Sequence, residues 1–233
     1  MVARVLDEIG RRLAPGVTTG ELRDVADGIF ASAGAAPVFH TEAGFPASIC
    51  TSVNEEVVHG VPGARRLRSG DIVSVDAGCA LDGFIGDAAR TWPVGEVDEE
   101  SQRLLDVARE CLDRAVAAAR PGADLTEVSR AVQSHAEANG FGVVRDFVGH
   151  GVGERLHEAP QVPNFVGPGG VSRGVKIRKG LVVAIEPMLT AGTWKVKKLS
   201  DGWTVVTIDG KRAAHFEHTV AVGREGAEIL TLP

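Results

Sequence analysis

Five side chains of the kind that bind metals stand out because each lies in a short apolar segment or a glycine turn. They are Asp76, Asp87, His150, Glu186 and Glu217. Apolar segments seldom bury carboxylates without a compensating positive charge, and neighbouring carboxylates raise one another's pKa. This set therefore predicts a site for two divalent ions, with cobalt, manganese, iron(II), zinc and nickel as candidates. Such a pair of ions lowers the pKa of water enough to make it a nucleophile.

Strand patterns predict how the first two acids meet. The Asp82-Gly83 dipeptide is typical of a two-residue hairpin. Pairing outward from it sets Gly78 opposite Asp87 and Asp76 opposite Ala89. The two acids would then be diagonal neighbours on one face, roughly 7 to 8 Å apart at the backbone.

A second hairpin is predicted at Asp209-Gly210. It would set Gly202 opposite Glu217 and Trp203 opposite Phe216. A tryptophan would then lie beside the second pair of acids.

The chain has the pattern of an internal duplication. A Pro-Gly pair, a glutamate and a glycine occur twice in the same order, as Pro15-Gly16, Glu21 and Gly34 and as Pro121-Gly122, Glu127 and Gly140. Segments 66–76 and 176–186 also match, and each ends a strand pattern on an acid. These matches predict an α+β fold in which residues 1–233 form a single catalytic domain, with pseudo-repeat halves of about 1–100 and 101–233.

Composition narrows the class of protein. The 233 residues are 44 % hydrophobic with a net charge of −6, which is typical of a soluble globular protein. No apolar run is long enough to cross a membrane, and acids near the start argue against a signal peptide, so a cytoplasmic protein is expected. No Lys/Arg block exceeds Lys197-Lys198, which argues against nucleic-acid binding. Three widely spaced cysteines favour reduced thiols.

Three of the seven histidines have unusual surroundings. His59 precedes Gly-Val-Pro, His150 lies between glycines, and His157 follows seven residues later. Glycines permit close approach of the backbone to a ligand. A lone histidine is more often a surface or core residue, and that interpretation is kept for His40, His135 and His218.

At these residues the sequence closely resembles the short bacterial type I methionine aminopeptidases, from about Val5 to Val222. Five motifs match in order, at 52–62, 71–87, 147–164, 180–188 and 201–219. Five spaced motifs are far more specific than one. The resemblance implies the duplicated pita-bread fold, in which antiparallel sheets form the site and helices lie outside.

The resemblance also implies roles for the site residues. The five residues named first would hold two ions, with Asp87 and Glu217 bridging both. Water activated by the ions would attack the first peptide bond, His157 would stabilise the oxyanion, His59 would hold the amide, and Glu186 would pass a proton to the leaving amine. The substrates would be peptides and nascent chains with an N-terminal methionine. A monomer is expected, with the ribosome as a candidate partner.

An apolar methionine pocket is implied as well. Its matching positions are Phe39, Glu42, Phe45, Cys50, Leu156 and Trp203. The family commonly has aromatics at Glu42 and Leu156, a tyrosine at Phe45 and a glutamine at His215. A charged Glu42 would be costly inside such a pocket, so it is expected at the rim. Phe45, Cys50 and Trp203 could also be ordinary core residues.

Two alternatives remain open. Xaa-Pro aminopeptidases and prolidases share the five ligands but normally carry a further N-terminal domain, for which we expect no room in a chain of 233 residues. A non-catalytic pita-bread binding module is the other alternative, and the presence of all five ligands argues against it. The short segment between His157 and Glu186 favours type I over type II methionine aminopeptidases.

Overall fold

Four α-helices are present in the computed structural model, which describes residues 1–167 and 174–233, apart from the side chain of Glu42. The helices are α1 (Val2–Arg12), α2 (Thr19–Ala33), α3 (Glu99–Ala118) and α4 (Thr126–Ala138), and Phe39–Ala43 forms a short π-helix. No helix in these two ranges has the length and apolarity that crossing a bilayer requires. The expected position of the Glu42 side chain at the pocket rim lies outside the described residues.

Fifteen short strands accompany the helices in the described part of the chain. They are β1 (Ala36–Pro37), β2 (Ile49–Val53), β3 (Glu56–Val58), β4 (Ile72–Leu81), β5 (Phe84–Pro93), β6 (Gly142–Val143), β7 (Gly149–Gly151), β8 (Glu158–Val162), β9 (Val182–Ile185), β10 (Met188–Thr190), β11 (Val196–Lys198), β12 (Val205–Thr207), β13 (Ala213–His215), β14 (His218–Val222) and β15 (Ala227–Ile229). The pairs described between them are antiparallel. The predicted α+β class is therefore confirmed.

Four sheets result from this pairing. One has the order β1-β4-β2 with β5 on β4, and the largest has the order β15-β14-β9-β7-β8. The other two are β13-β10-β6 and β11-β12-β3. One apolar core lies under α1 and α2, and another lies under α3 and α4. The cysteines Cys50, Cys79 and Cys111 are buried free thiols, as expected.

Helix α2 illustrates why these segments fold locally. Its N-terminus has a capping box in which the Thr18 hydroxyl accepts from the Glu21 amide and the Glu21 carboxylate accepts from Thr18. Its buried residues Leu22, Ala26 and Phe30 recur every four positions, which places them on one face of the helix. Gly34 ends the helix in the left-handed conformation, which glycine adopts without strain.

The two halves of the chain repeat the same backbone hydrogen bonds. In each half, the donors are the amide of a Pro-Gly turn and the amide of a Ser-Gly or Lys-Gly turn. In the first half, Gly16 N donates to Leu67 O and Gly70 N donates to Val94 O. In the second half, Gly122 N donates to Ile177 O and Gly180 N donates to Val222 O. We propose on these equivalences that the chain is one domain built from halves of about 1–100 and 101–233.

The predicted hairpin at Asp82-Gly83 is confirmed. Strands β4 and β5 pair with Gly78 opposite Asp87 and Asp76 opposite Ala89. Both turn residues have positive φ, as a two-residue hairpin of this kind requires. The two acids are thus set two positions apart on paired strands.

The prediction of a hairpin at Asp209-Gly210 is wrong. Strand β12 pairs with β11 and β3, whereas β13 pairs with β10, so neither Gly202 nor Trp203 lies opposite the predicted partner. The physical reason is a tertiary contact, because the Asp209 carboxylate accepts from the amides of Thr193 and Lys211, at 2.7 and 3.1 Å. This turn therefore leads from one sheet to another.

A seam joins the first sheet to the second half of the chain, where residues 87–91 face residues 215–219. Backbone bonds link Ala89 and Glu217 in both directions, at 2.8 and 3.4 Å. On one side of this pair the Thr219 hydroxyl bonds the backbone of Asp87, and on the other the Thr91 hydroxyl bonds the backbone of His215. The seam therefore fixes Asp87 and Glu217 close together.

Candidate metal centre

Apart from Glu42, the residues that the sequence assigned to the site all line one cavity of about 130 Å³. These residues are Phe39, Phe45, Cys50, His59, Asp76, Asp87, His150, Leu156, His157, Glu186, Trp203 and Glu217. They come from both halves of the chain. The predicted site residues are thus brought together even though one of the hairpins proposed to position them is absent.

Strand pairing explains how the second half delivers its acids. Strand β9 lies between β7 and β14, with Ala184 paired to His150 on one side and Ile185 paired to His218 on the other. Glu186 follows the end of β9, and Glu217 immediately precedes β14. This order places His150, Glu186 and Glu217 side by side at one end of the sheet.

The side-chain atoms that could bind a metal ion lie close together. One ligand atom from each of Asp87, His150 and Glu217 lies within 4.8 Å of the other two. The Nε2 atom of His150 is 3.8 Å from Asp87 Oδ2 and 3.7 Å from Glu186 Oε1. Its Nδ1 atom lies 2.9 Å from the Gly151 carbonyl oxygen, which favours a proton on Nδ1 and a lone pair on Nε2. A neutral imidazole in this tautomer can bind a cation among the carboxylates.

Burying four ionised carboxylates together costs free energy unless cations are bound beside them. Burial raises the pKa of Asp76, Asp87, Glu186 and Glu217, and their mutual repulsion adds to the effect at Asp76, Glu186 and Glu217. Three oxygens, Asp76 Oδ1, Asp87 Oδ1 and Glu217 Oε1, are buried without a hydrogen-bond partner. Unpaired buried acceptors of this kind fit divalent cations well.

The histidines of the cavity differ in their settings. Burial lowers the pKa of both His59 and His150 to about 4, so both rings are neutral near pH 7. His59 packs edge-on against Phe147, with ring centroids 5.5 Å apart. The ring of His157 lies 4.3 Å from that of His150 and is exposed. His59 and His157 are therefore close to the acid cluster without being part of its converging group.

His215 lies beside the acids of the site, and the sequence had assigned it no role. Its Nε2 atom lies 3.8 Å from Glu186 Oε2 and 3.8 Å from Glu217 Oε2, and it is buried without a hydrogen-bond partner. The two-residue spacing from Glu217 could have drawn attention to this residue, because side chains two apart in an extended segment share a face. His215 precedes Glu217 by two positions.

Apolar side chains form the other wall of the cavity. Phe45 packs edge-on against Trp203 and Phe39, with ring centroids 5.4 and 6.4 Å apart. Trp203 is fixed by a hydrogen bond from its amide to Asp201 Oδ1 at 2.9 Å. A Cβ at Gly78 would lie 2.7 Å from the Phe39 ring and 3.2 Å from Asp87 Oδ1, so this glycine makes room for both walls.

Metal binding is expected to strengthen as the pH rises from about 5 to about 7.5. Burial raises the pKa of Asp87 to about 7, so a proton must leave as a cation binds. In the metal-free protein, the raised pKa of Asp87 contributes to folding stability. This contribution is fully present below the pKa of the unfolded chain, about 3.9, and is lost as the pH rises through about 7. His150, with its pKa lowered to about 4, stays neutral over this range and does not compete.

The measurement is the Tm difference between metal-loaded and chelator-treated protein. This difference is expected to grow with pH across that range. A constant difference would mean that the carboxylates are already ionised before a cation binds.

Comparisons with known proteins agree with this geometry. Residues 1–224 match the model of metallopeptidase family M24. The chain is 49 % identical to a methionine aminopeptidase of Clostridium perfringens, over all of this chain and 92 % of that protein. It superimposes on the crystal structure of methionine aminopeptidase from Thermotoga maritima with a TM-score of 0.96 and 47 % identity, covering all of this chain and 92 % of that one.

A more distant match concerns the fold alone. The prolidase from Pyrococcus furiosus aligns with a TM-score of 0.76 at 21 % identity, over all of this chain and 60 % of that one. The expected pita-bread fold is thereby confirmed. High identity over nearly the whole length is found with the methionine aminopeptidases, and the chain therefore belongs to metallopeptidase family M24 and, within it, to the methionine aminopeptidases.

Proposed function

We propose that this chain is a metal-dependent aminopeptidase that removes the N-terminal methionine from peptides and nascent proteins. The observation that carries the proposal is a cluster of buried carboxylates and His150 on the wall of a small cavity whose other wall is aromatic and apolar. Such a cavity accepts an uncharged side chain and places the peptide bond beside it at the acid cluster. Family membership supports the same activity.

The metal set in this proposal comprises Asp76, Asp87, His150, Glu186 and Glu217 around two divalent ions. Asp87 and Glu217 would both hold the ions, because they face each other across the seam and both belong to the converging group. Mixed oxygen and nitrogen ligands suit cobalt, manganese, iron(II), zinc or nickel. When bound, these ions supply Lewis acidity and lower the pKa of water.

The remaining polar groups act on the substrate itself. His59, neutral near pH 7, holds the scissile amide through a ring nitrogen. His157 donates to the carbonyl oxygen as negative charge develops there, which is the point where a positioned donor contributes most. Glu186 takes up a proton at a carboxylate oxygen and passes it to the leaving amine.

The apolar wall selects the side chain that is released. Phe39, Phe45, Cys50, Leu156 and Trp203 surround the space beside the acids. A methionine thioether is flexible and makes favourable contacts with aromatic edges, two of which are available here at Phe45 and Trp203. The free α-amine of the substrate would lie near Asp76, which restricts hydrolysis to the first peptide bond.

The setting of the enzyme follows from its substrates. Nascent chains are made in the cytoplasm, so that compartment and access to chains leaving the ribosome are part of the proposal. The protein is proposed to act as a monomer, because both halves of one chain contribute residues to the cavity.

The test uses protein stripped with a chelator and then supplied with manganese or cobalt. Release of methionine from a Met-Ala-Ser peptide is expected, with little release of leucine from Leu-Ala-Ser, and renewed chelation should stop the reaction. Cleavage of Ala-Pro-Ser in place of Met-Ala-Ser would indicate an Xaa-Pro peptidase. Bound metal without any release would indicate a binding module.

A further inference from the structure

His215 is held rigidly between two acids of the proposed metal site. Its amide donates to the Thr91 hydroxyl at 2.9 Å, and that hydroxyl is 2.7 Å from the His215 carbonyl oxygen. Thr91 is bonded in turn to the Ser74 hydroxyl at 2.7 Å, and His215 pairs with Met188 on β10. The backbone is thus fixed from two sides, so the imidazole keeps its place.

The orientation of Glu186 shows what the imidazole faces. One carboxylate oxygen, Oε1, lies 3.7 Å from Nε2 of the metal-type residue His150. The other oxygen, Oε2, lies 3.8 Å from Nε2 of His215. Glu186 therefore directs one oxygen to the ligand side of the site and the other to His215. Glu217 also directs one oxygen, Oε2, to His215 at 3.8 Å.

Two roles are open to a buried imidazole in this position. As a ligand, Nε2 would converge with other donor atoms on a shared point. In the part of the chain that the structure describes, the group that converges within 4.8 Å comprises Asp87, His150 and Glu217, and it includes neither His215 nor Glu186. Glu186 faces His150 through Oε1 and His215 through Oε2, so the two imidazoles lie at different oxygens of one carboxylate. As a donor, an Nε2–H would lie between two acceptor oxygens, which is the arrangement observed. A carboxylate shift of roughly 1 Å brings either oxygen into hydrogen-bond range.

We propose that His215 is a positioning residue whose Nε2–H donates to the carboxylates of Glu186 and Glu217 and so directs their other oxygens toward the bound ions. This inference rests on the metal site of the proposed function. A buried donor left unpaired in the metal-free chain costs free energy. Binding of the ions, which draws the carboxylates into fixed orientations, would satisfy that donor.

The experiment compares His215→Gln with His215→Leu. Glutamine keeps an N–H donor at similar reach, whereas leucine fills similar space without one. Titration calorimetry with Mn²⁺ is expected to show affinity weakened by about 10- to 100-fold in the leucine variant, the usual effect of losing an outer hydrogen bond to a ligand. The glutamine variant is expected to stay within about threefold of the parent chain. Release of methionine from Met-Ala-Ser should follow the same order.

Thermal unfolding in chelator separates this role from a purely structural one. The metal-free leucine variant is expected to be no less stable than the parent, since it removes an unpaired buried donor. His215→Met serves as the apolar variant if the leucine variant does not fold. Parent-like Mn²⁺ affinity in the apolar variant would overturn the proposal. Equal losses in the glutamine and apolar variants would also overturn it, because the imidazole nitrogen itself would then be required.

The parent chain keeps this result separate from the proposed function. If the parent binds Mn²⁺ and releases methionine, a negative result with the variants concerns His215 alone. If the parent does neither, the proposed function fails, and His215 has no metal site to position.

Discussion

Glu217→Ala is expected to lose both bound metal and methionine release. Glu217 belongs to the group that converges within 4.8 Å and is buried at the seam. Without it, one fewer negatively charged ligand is left beside Asp87 to hold and neutralise a cation. The loss in metal affinity should exceed the roughly 10- to 100-fold cost of losing an outer contact to a ligand.

Metal content per chain and the rate of release from Met-Ala-Ser measure the outcome. Glu228→Ala is the matched control, because Glu228 is an exposed acid on the neighbouring strand β15 and does not line the cavity. It should retain both metal and rate. A Glu217→Ala variant with full metal content would refute Glu217 as a metal ligand.

His157→Ala is expected to keep its metals and lose roughly 10²-fold or more in kcat. The reason is that a donor to the developing oxyanion acts in the transition state, and removing such a donor typically costs that much. The His157 side chain is exposed, so its removal leaves no buried cavity and the Tm should change little. Its ring lies 4.3 Å from that of His150, within reach of a substrate held at the acids.

The measurement pairs kcat with metal content on the same preparation. His40→Ala is the control, since His40 is an exposed histidine next to Phe39 that does not line the cavity. It is expected to behave as the parent chain does. A fall in metal content with His157→Ala would place His157 among the ligands.

Local signals were enough to predict the first half of the site. The Asp82-Gly83 dipeptide defines a turn with two positive φ angles, and strand alternation then determines the register of β4 against β5. Asp76 and Asp87 follow directly from that register. Their proximity needed no knowledge of the rest of the chain.

Tertiary contacts decided the second half. Asp209-Gly210 has the same turn chemistry, but the Asp209 carboxylate bonds the amide of Thr193, and the chain passes to another sheet. Sequence alone does not reveal which distant amide an aspartate will bond. Trp203 nevertheless lines the cavity as expected, held by Asp201 in place of the predicted pairing with Phe216.

The position of His215 relative to Glu186 could not be predicted from the sequence motifs. Its distance to Glu186 depends on the pairing of β13 with β10, a contact between segments that no local pattern specifies. Its placement on the same side as Glu217 could have been expected from the two-residue spacing in an extended segment.

The seam between residues 87–91 and 215–219 has a consequence for how the protein comes apart. Every hydrogen bond of the seam joins a group from residues 87–91 to a group from residues 215–219. The two segments therefore cannot separate without moving Asp87 away from Glu217. Ions would then protect the entire molecule against unfolding, and amide exchange on β5 and around Glu217 should slow together when they bind. Two fragments made separately would have to reassociate before either could hold an ion.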